Sequence, residues 1–347
     1  EKEVIFVRNA SEAINLVMYS WGEKNVGKGE AVVVGYQEHH SNLVTWQILC
    51  KKNGASLRVI NVDEQGRLTL KGGSKRVVEG VEVGSLESLL DEKVRMIALT
   101  VVSNVLGTVN DLEAVYELKK RLSPKAKFLV DGSQSVPHMA VDVKKLKCDF
   151  MVFSGHKMLG PTGIGVLWGK REILEEMEPF LYGGDMISEV KLAESSWNEL
   201  PWKFEAGTPH IEGMIGLGAA VDYLNSLGME NIWEHEQELI KYALEKGEEL
   251  EKKGWIEIYG PRNYKERGGV FTFNVKGVHA HDSAQVLDSF GIAVRSGQHC
   301  GAPITEKLGV MATTRASFYV YTTKQEIDFL IEKIGEVRKV FGKGDNA

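Results

Sequence analysis

The chain has 347 residues, of which 43% are hydrophobic and 26% charged, and its formal net charge is -6. These values are ordinary for a globular protein long enough for two domains, and the small acidic excess gives no reason to expect nucleic-acid binding. No apolar run reaches the ~18 residues that a membrane span requires, so we expect no membrane partner.

The three cysteines are widely separated, at Cys50, Cys148 and Cys300. Their spacing forms neither a disulfide framework nor a paired set of metal ligands, so we expect no metal site. A reducing compartment fits best, which predicts a cytoplasmic protein. Cys50 and Cys148 have apolar neighbours and are interpreted as core residues, whereas Cys300 has polar and glycine neighbours.

Helix and strand patterns alternate through the first two thirds of the chain. The predicted helices cover residues 11–22, 41–52 and 111–121, and the predicted strands cover residues 31–34, 57–62, 95–102, 126–131, 149–153 and 164–168. Residues 71–84, rich in glycine and charge, are predicted to form a surface hairpin. This alternation indicates an α/β fold, with a large, mostly parallel sheet and helices on both of its faces.

The pattern changes after residue 212. Predicted helices at 212–227, 229–253, 282–290 and 324–341 mix with predicted strands at 255–258, 269–275 and 292–295. This mixture is typical of a smaller α+β domain. We therefore predict a large domain over residues 1–225 and a small C-terminal domain over residues 226–347.

Two predicted buried strands end in polar side chains. Asp131 ends the strand at 126–131, and Lys157 follows the strand at 149–153 by way of Ser154 and His156. Parallel strands open their C-terminal ends onto one crevice, where ligands bind. Pyridoxal phosphate needs a lysine for its Schiff base and an acid facing its ring nitrogen. A lone lysine here would be interpreted as a solvated surface residue, and a lone aspartate as a turn cap, but the pair predicts this cofactor.

Neighbouring polar residues extend the predicted cofactor site. Gln134 is placed to donate to the phenolic oxygen of the ring, and Ser154 and His156 suit the phosphate. Ala10 and Ser11 lie where the first helix begins, and the free N–H groups of a helix start bind anions. A cap by Asn9 or Ser11 is the structural interpretation of the same residues.

Three further motifs carry candidate chemistry. His39 and His40 are adjacent, so their side chains diverge and a metal pair is disfavoured. We expect His39 to stack on the cofactor ring, with a structural role as the alternative. Cys300 lies near Arg295 and His299 in a glycine-containing loop, which suits a thiolate nucleophile, with an incidental exposed cysteine as the alternative. Arg315 is either a surface arginine or a bidentate clamp on a substrate carboxylate.

Six segments carry a family resemblance: EHHSN at 38–42, VSNVLG at 102–107, DGSQ at 131–134, FSGHK at 153–157, FEAGTP at 204–209 and AVRSGQHC at 293–300. Through them, from residue 4 to about residue 340, the chain resembles the fold-type I, class V aminotransferase superfamily. Within it, the chain is similar to the group II cysteine desulfurases.

The resemblance implies a role for each site residue. Lys157 carries the Schiff base, Cys300 is the nucleophile, and His39 is expected to be catalytic as well as a cofactor contact. The remaining cofactor contacts fall to Asp131, Gln134, His39, Ala10, Ser11, Ser154, His156 and Thr208, and the substrate contacts fall to Asn104, Arg315 and Arg295. Thr208 is similar to a threonine that reaches the phosphate of the opposite subunit, which implies a homodimer.

The implied function is a transferase that converts L-cysteine to L-alanine. Its sulfur passes to Cys300 as a persulfide and then to an acceptor or scaffold protein for iron–sulfur cluster assembly. A selenocysteine lyase and a non-catalytic partner subunit of a sulfur-transfer complex are the alternatives. A nicotinamide dehydrogenase is disfavoured because no G-x-G-x-x-G follows the first strand.

Three departures from the family pattern stand out. The family usually has a helix and a strand before the position of Val4, so we expect an upstream segment. Gln298 occupies the first of two positions that are commonly histidine before the cysteine. Residues 71–84 are longer than usual.

Overall fold

The structure, a computed structural model, describes residues 1–342. Its chain divides into two compact units. The first comprises Glu1–Asn61, Leu68–Val101 and Asp111–Gly228, and the second comprises Val62–Arg67, Val102–Asn110 and the chain from Met229 onward. The two short inner segments of the second unit precede its main part by more than a hundred residues. The predicted domain boundary between residues 225 and 226 stays a prediction.

The first unit is built on a nine-stranded sheet. Its strands are β1 (Val4–Val7), β2 (Ala31–Gly35), β3 (Ser56–Ile60), β4 (Arg76–Val78), β5 (Val81–Gly84), β6 (Val94–Thr100), β7 (Lys127–Asp131), β8 (Phe150–Ser154) and β9 (Gly165–Gly169). They lie in the order β1-β9-β8-β7-β6-β2-β3-β5-β4. The pairs of β2 with β3 and β6, of β7 with β6 and β8, and of β3 with β5 are parallel. The prediction of a large, mostly parallel sheet is therefore confirmed.

Helices connect these strands. They are α1 (Ala10–Val17), α2 (Glu23–Asn25), α3 (His40–Asn53), α4 (Leu86–Leu89), α5 (Leu112–Leu122), α6 (Val143–Leu146), α7 (Arg171–Glu176) and α8 (Ile211–Leu227). A hairpin of β10 (Ile187–Val190) and β11 (Ser195–Trp197) lies outside the main sheet. All five residues of β2 are buried, as expected for an inner strand covered on both faces.

The second unit contains a four-stranded antiparallel sheet in the order β12-β13-β15-β14. Its strands are β12 (Ile256–Tyr259), β13 (Val270–Val275), β14 (Arg295–Gly297) and β15 (Thr313–Ser317), and its helices are α9 (Met229–Lys252), α10 (Ala280–Ser289), α11 (Ala302–Lys307) and α12 (Lys324–Val340). Phe271 and Phe273 are fully buried in its core. This mixture agrees with the predicted α+β composition of the later chain.

The structure corrects three local predictions. The helix expected over 11–22 ends at Val17, and Met18–Gly22 continues as a π-helical segment. The strand expected at 292–295 is found at Arg295–Gly297 instead. β15 was not predicted, because its Thr-Thr-Arg-Ala-Ser sequence lacks apolar alternation. The hairpin expected within 71–84 is present as β4 and β5, and β5 joins the main sheet beside β3.

Within residues 1–342, no helix is both long and apolar enough to cross a membrane. In the same range, no group of three or more histidine, cysteine or acidic side chains is arranged to hold a metal ion.

Candidate active site

The C-terminal ends of neighbouring strands form one edge of the large sheet. Thr100 at the end of β6 pairs with Asp131 at the end of β7, and Asp131 pairs with Val152 of β8. Parallel pairing therefore carries the chain segments that follow β2, β6, β7 and β8 to this same edge. The predicted cofactor residues His39, Asp131 and Lys157 all belong to those segments.

Asp131 is a buried carboxylate, 4% exposed. Its Oδ1 accepts a hydrogen bond of 2.9 Å from the backbone N–H of Ser133. A Cβ atom at Gly132 would lie 3.3 Å from the carbonyl oxygen of Val152 and 3.0 Å from a methyl carbon of Val136, so the turn after β7 is tightly packed. Asp131 thus caps the turn that follows β7, and this tightly packed turn fixes the direction of the Asp131 carboxylate.

Lys157 follows β8 through a single 3₁₀ turn over Gly155–Lys157. Gly155 is buried, and a Cβ atom there would lie 2.9 Å from a methyl carbon of Ile164. Its carbonyl accepts hydrogen bonds from the N–H groups of Met158 and Gly160. The half-buried lysine is therefore carried by a rigid turn. Partial burial and the adjacent charge of Lys157 both lower the pKa of His156, which keeps that imidazole neutral at pH 7.

The start of α1 lies beside the end of β8. The Ala10 N–H donates to the Ser154 Oγ at 2.9 Å, and the hydroxyls of Ser11 and Ser41 are hydrogen-bonded. Asn9, not Ser11, caps the helix by accepting from the Glu12 N–H at 3.0 Å. Helix-start N–H groups and two serine hydroxyls at one place suit a phosphate group.

His39 caps α3, and its ring nitrogen Nδ1 accepts a hydrogen bond of 3.1 Å from the Ser41 N–H. A nitrogen that accepts carries no proton, so this bond assigns the neutral ring proton to Nε2. The rings of His39 and His40 are 6.3 Å apart and inclined by 49°. The two rings therefore diverge, and the absence of a metal at this pair stays a prediction.

Glu38 is a functional candidate that the sequence analysis missed. It is 1% exposed, and its Oε2 accepts hydrogen bonds from the Asn42 side chain at 2.7 Å and the Thr100 N–H at 2.9 Å. Burial, together with the negative charge of Asp131, raises the pKa of Glu38 to about 8. Glu38 is therefore largely protonated at pH 7. No local sequence signal identifies Glu38, which lies three residues beyond the end of β2 at Gly35.

Two other predicted cofactor residues lie on the first unit as well. Gln134 is half-buried in the turn that follows Asp131. Thr208 is exposed and lines a surface depression of about 600 Å³, together with Arg8 and His210. Of this pair, only Gln134 belongs to the segment after β7.

The predicted substrate residues are on the second unit, where Asn104 joins Arg315 and the cysteine loop. Arg315 Nη1 donates to the Asn104 carbonyl at 2.6 Å, and the Asn104 side-chain amide donates to the His299 carbonyl at 2.6 Å. Arg295 Nη2 lies 3.4 Å from Cys300 Sγ. The structure thus brings together the four residues predicted for substrate binding and sulfur transfer, which are Asn104, Arg295, Cys300 and Arg315.

Arg315 has a buried Nε with no hydrogen-bond partner among the described residues. Burial, and secondarily the charge of Arg295, lowers the pKa of Arg315 to about 10, so the guanidinium remains cationic at pH 7. An unsatisfied, buried cationic donor favours an anionic ligand. This geometry favours the clamp interpretation of Arg315 over that of a surface arginine.

The three cysteines differ sharply. Burial raises the pKa of Cys50 to about 11 and that of Cys148 to about 12, so both thiols stay protonated. Cys300 is partly exposed and has a cationic neighbour. His299 and Cys300 both have left-handed backbones, with φ of 53° and 59°. That conformation costs an L-residue roughly 1–2 kcal/mol.

Comparisons with known proteins agree with this arrangement. The model of the class-V aminotransferase family matches residues 1–330. A cysteine desulfurase of Haloferax volcanii is 46% identical over 340 residues, covering 98% of this chain and 75% of that protein. A probable cysteine desulfurase of Halalkalibacterium halodurans is 47% identical over 341 residues, covering 98% and 79%.

Solved structures give the same result. The apo structure of a cysteine desulfurase from Thermococcus onnurineus superposes with a TM-score of 0.89 at 40% identity, covering 98% of this chain and 80% of that one. An Escherichia coli cysteine desulfurase superposes with a TM-score of 0.85 at 32% identity, covering 98% and 79%. The chain therefore belongs to the class-V aminotransferase family and, within it, to the cysteine desulfurases, which are enzymes that depend on pyridoxal phosphate.

Proposed function

We propose that this enzyme converts L-cysteine to L-alanine and transfers the sulfur to Cys300 as a persulfide. The observation that carries the proposal is the contact between Arg295 and Cys300, 3.4 Å from guanidinium nitrogen to sulfur. The contact places a positive charge beside Cys300, which is partly exposed, whereas Cys50 and Cys148 are buried. A nearby cation stabilises a thiolate, which is the reactive form of a cysteine.

The residues of the large sheet fit pyridoxal phosphate. The buried carboxylate of Asp131 suits a protonated ring nitrogen, and the start of α1 with the hydroxyls of Ser11 and Ser154 suits the phosphate. We assign the ring oxygen to Gln134 and the ring face to His39. Ala10 and His156 complete the phosphate contacts. When bound, the cofactor supplies an electron sink for negative charge at the substrate Cα.

The protein groups have distinct tasks in this reaction. Arg315 and Asn104 hold the substrate carboxylate. Lys157 Nζ removes the proton from the substrate Cα and returns a proton to the same carbon before alanine leaves. The Cys300 thiolate attacks the substrate sulfur, so an S–S bond forms while the Cβ–S bond breaks. The electron pair of the broken bond stays on Cβ, which takes a proton. The products are alanine and a persulfide on Cys300, with no external oxidant or reductant.

The assembly and its partners complete the proposal. Residues 1–225 hold the cofactor and residues 226–347 carry the cysteine loop. Thr208, exposed on the first unit, reaches the phosphate of a second subunit in a homodimer. The persulfide passes to an acceptor or scaffold protein that supplies sulfur for iron–sulfur cluster assembly in the cytoplasm.

Alanine release from L-cysteine tests the proposal. Cys300→Ala should abolish release, by at least about 10³-fold, because the nucleophile is lost, while the visible absorbance of the bound cofactor persists. Cys148→Ala is the matched control and should keep most of the activity, since that thiol is buried and protonated. Unimpaired alanine release by Cys300→Ala would contradict the assignment, and retained activity on L-selenocysteine alone would favour a selenocysteine lyase.

A further inference from the structure

The turn that carries Cys300 has an unusual backbone. Gly297 has a φ of 120°, and His299 and Cys300 have φ of 53° and 59°. Glycine adopts positive φ freely, but two successive residues with side chains do so at a cost. Such a conformation persists only where the surroundings impose it. The turn therefore needs an anchor outside its own backbone.

The His299 side chain supplies that anchor. It is 2% exposed, and its Nε2 lies 2.8 Å from the hydroxyl oxygen of Thr313, the first residue of β15. The backbone of His299 is held as well, because its carbonyl accepts from the Asn104 amide. Just beyond the cysteine, a Cβ atom at Gly301 would lie 2.6 Å from a methyl carbon of Val105, so the turn packs tightly against the Asn104 segment.

The same geometry removes His299 from proton chemistry. Its Nε2 is engaged by Thr313, and its Nδ1 is buried without a hydrogen-bond partner among the described residues. Burial, then the charges of Arg315 and Arg295, lower the pKa of His299 to about 4, so the ring is neutral at pH 7. The charged group that contacts Cys300 Sγ is instead Arg295, and the charge of Arg315 also acts on this thiol.

We infer that His299 is a positioning residue that locks the left-handed turn presenting Cys300. Of His299 and Arg295, only Arg295 stabilises the Cys300 thiolate. The inference rests on the proposed function in one respect, since it explains how the proposed sulfur-accepting residue is held. It assigns the histidine before the cysteine a mechanical task, in a position where an imidazole beside a thiol would ordinarily suggest a base.

The rate of Cys300 alkylation by iodoacetamide, followed by peptide mass spectrometry across pH 5–10 on the full chain, tests the electrostatic half. His299→Gln keeps a hydrogen-bonding side chain but cannot titrate, and it should leave the midpoint pH within about 0.3 unit of the unchanged protein. Arg295→Met removes the neighbouring charge and should raise the midpoint by about one unit. A rise in His299→Gln as large as that in Arg295→Met would overturn the inference.

Amide hydrogen exchange over residues 297–301 tests the lock. Thr313→Val removes only the hydroxyl partner of His299, and both it and His299→Ala should accelerate exchange by about tenfold or more. Ser317→Ala, at the exposed end of the same strand, is the matched control and should leave exchange unchanged. Unchanged exchange in a folded Thr313→Val protein would refute the lock, even if His299→Ala does not fold.

These readouts require no turnover. A failure of Cys300 as the sulfur acceptor would appear as retained alanine release in Cys300→Ala, while the alkylation midpoint and the exchange rates would still decide the role of His299.

Discussion

The sheet edge of the first unit and the cysteine loop of the second hold reactive side chains by different means. At the sheet edge, Asp131 and the turn before Lys157 are direct continuations of buried parallel strands. In the loop, Cys300 lies on a left-handed turn tied by side-chain hydrogen bonds of His299 and Asn104. Topology therefore positions the first set, whereas a few specific contacts position the second.

The electrostatics of the two regions are also opposite. Buried acids dominate the sheet edge, where burial and the negative charge of Asp131 raise the pKa of Glu38 to about 8. Cations dominate the loop, where burial, followed by the charges of Arg315 and Arg295, lowers the pKa of His299 to about 4. The first region is suited to a ligand with a positively charged ring nitrogen, and the second to an anionic substrate group and a thiolate.

The largest effect that tests this contrast is expected at Asp131. Asp131→Asn keeps the shape but removes the carboxylate charge, so we expect alanine release to fall roughly 10²–10³-fold, the usual cost of one preorganised electrostatic group. Asp142→Asn is the matched control, since Asp142 is an exposed carboxylate that caps α6. Steady-state kinetics of alanine release measure both variants. Equal activities of Asp131→Asn and Asp142→Asn would contradict a role for the Asp131 charge.

A smaller effect is expected from the protonated acid. The pKa of Glu38 is raised from 4.5 to about 8, so between these pH values the native state retains a proton that the unfolded state releases. The unfolding free energy should therefore fall with rising pH, by up to about 1.4 kcal/mol per unit within that window and no further above it.

Glu38→Gln removes this linkage while keeping an isosteric neutral side chain. Melting temperatures should be measured without cofactor from pH 5 to pH 9. The melting temperature of the variant, relative to that of the unchanged protein, should rise with pH up to about pH 8. Two parallel curves would mean that Glu38 does not hold its proton.

The contrast also explains what the sequence predicted. Asp131 and Lys157 were found because an apolar strand followed by polar residues is a local pattern, and parallel strands share one C-terminal edge. The strand β15, which carries Arg315, was missed because its pairing with β13 is non-local and its residues do not alternate.

The burial of individual polar side chains could not be predicted from the sequence either. Nothing local distinguishes Glu38 from a solvated acid, and its raised pKa arises from the strands around it. Similarly, the turn at His299 depends on Thr313, fourteen residues away, and on Asn104, which lies nearly two hundred residues earlier in the chain. The family resemblance named the cysteine loop, but only the structure shows what holds it.

The most direct test of the account is to reduce the cofactor-loaded protein with borohydride and to locate the modified residue by peptide mass spectrometry. The account predicts that the cofactor mass becomes fixed to Lys157 and that Lys157→Ala shows no such adduct. Attachment to any other lysine, or an undiminished adduct in Lys157→Ala, would contradict it.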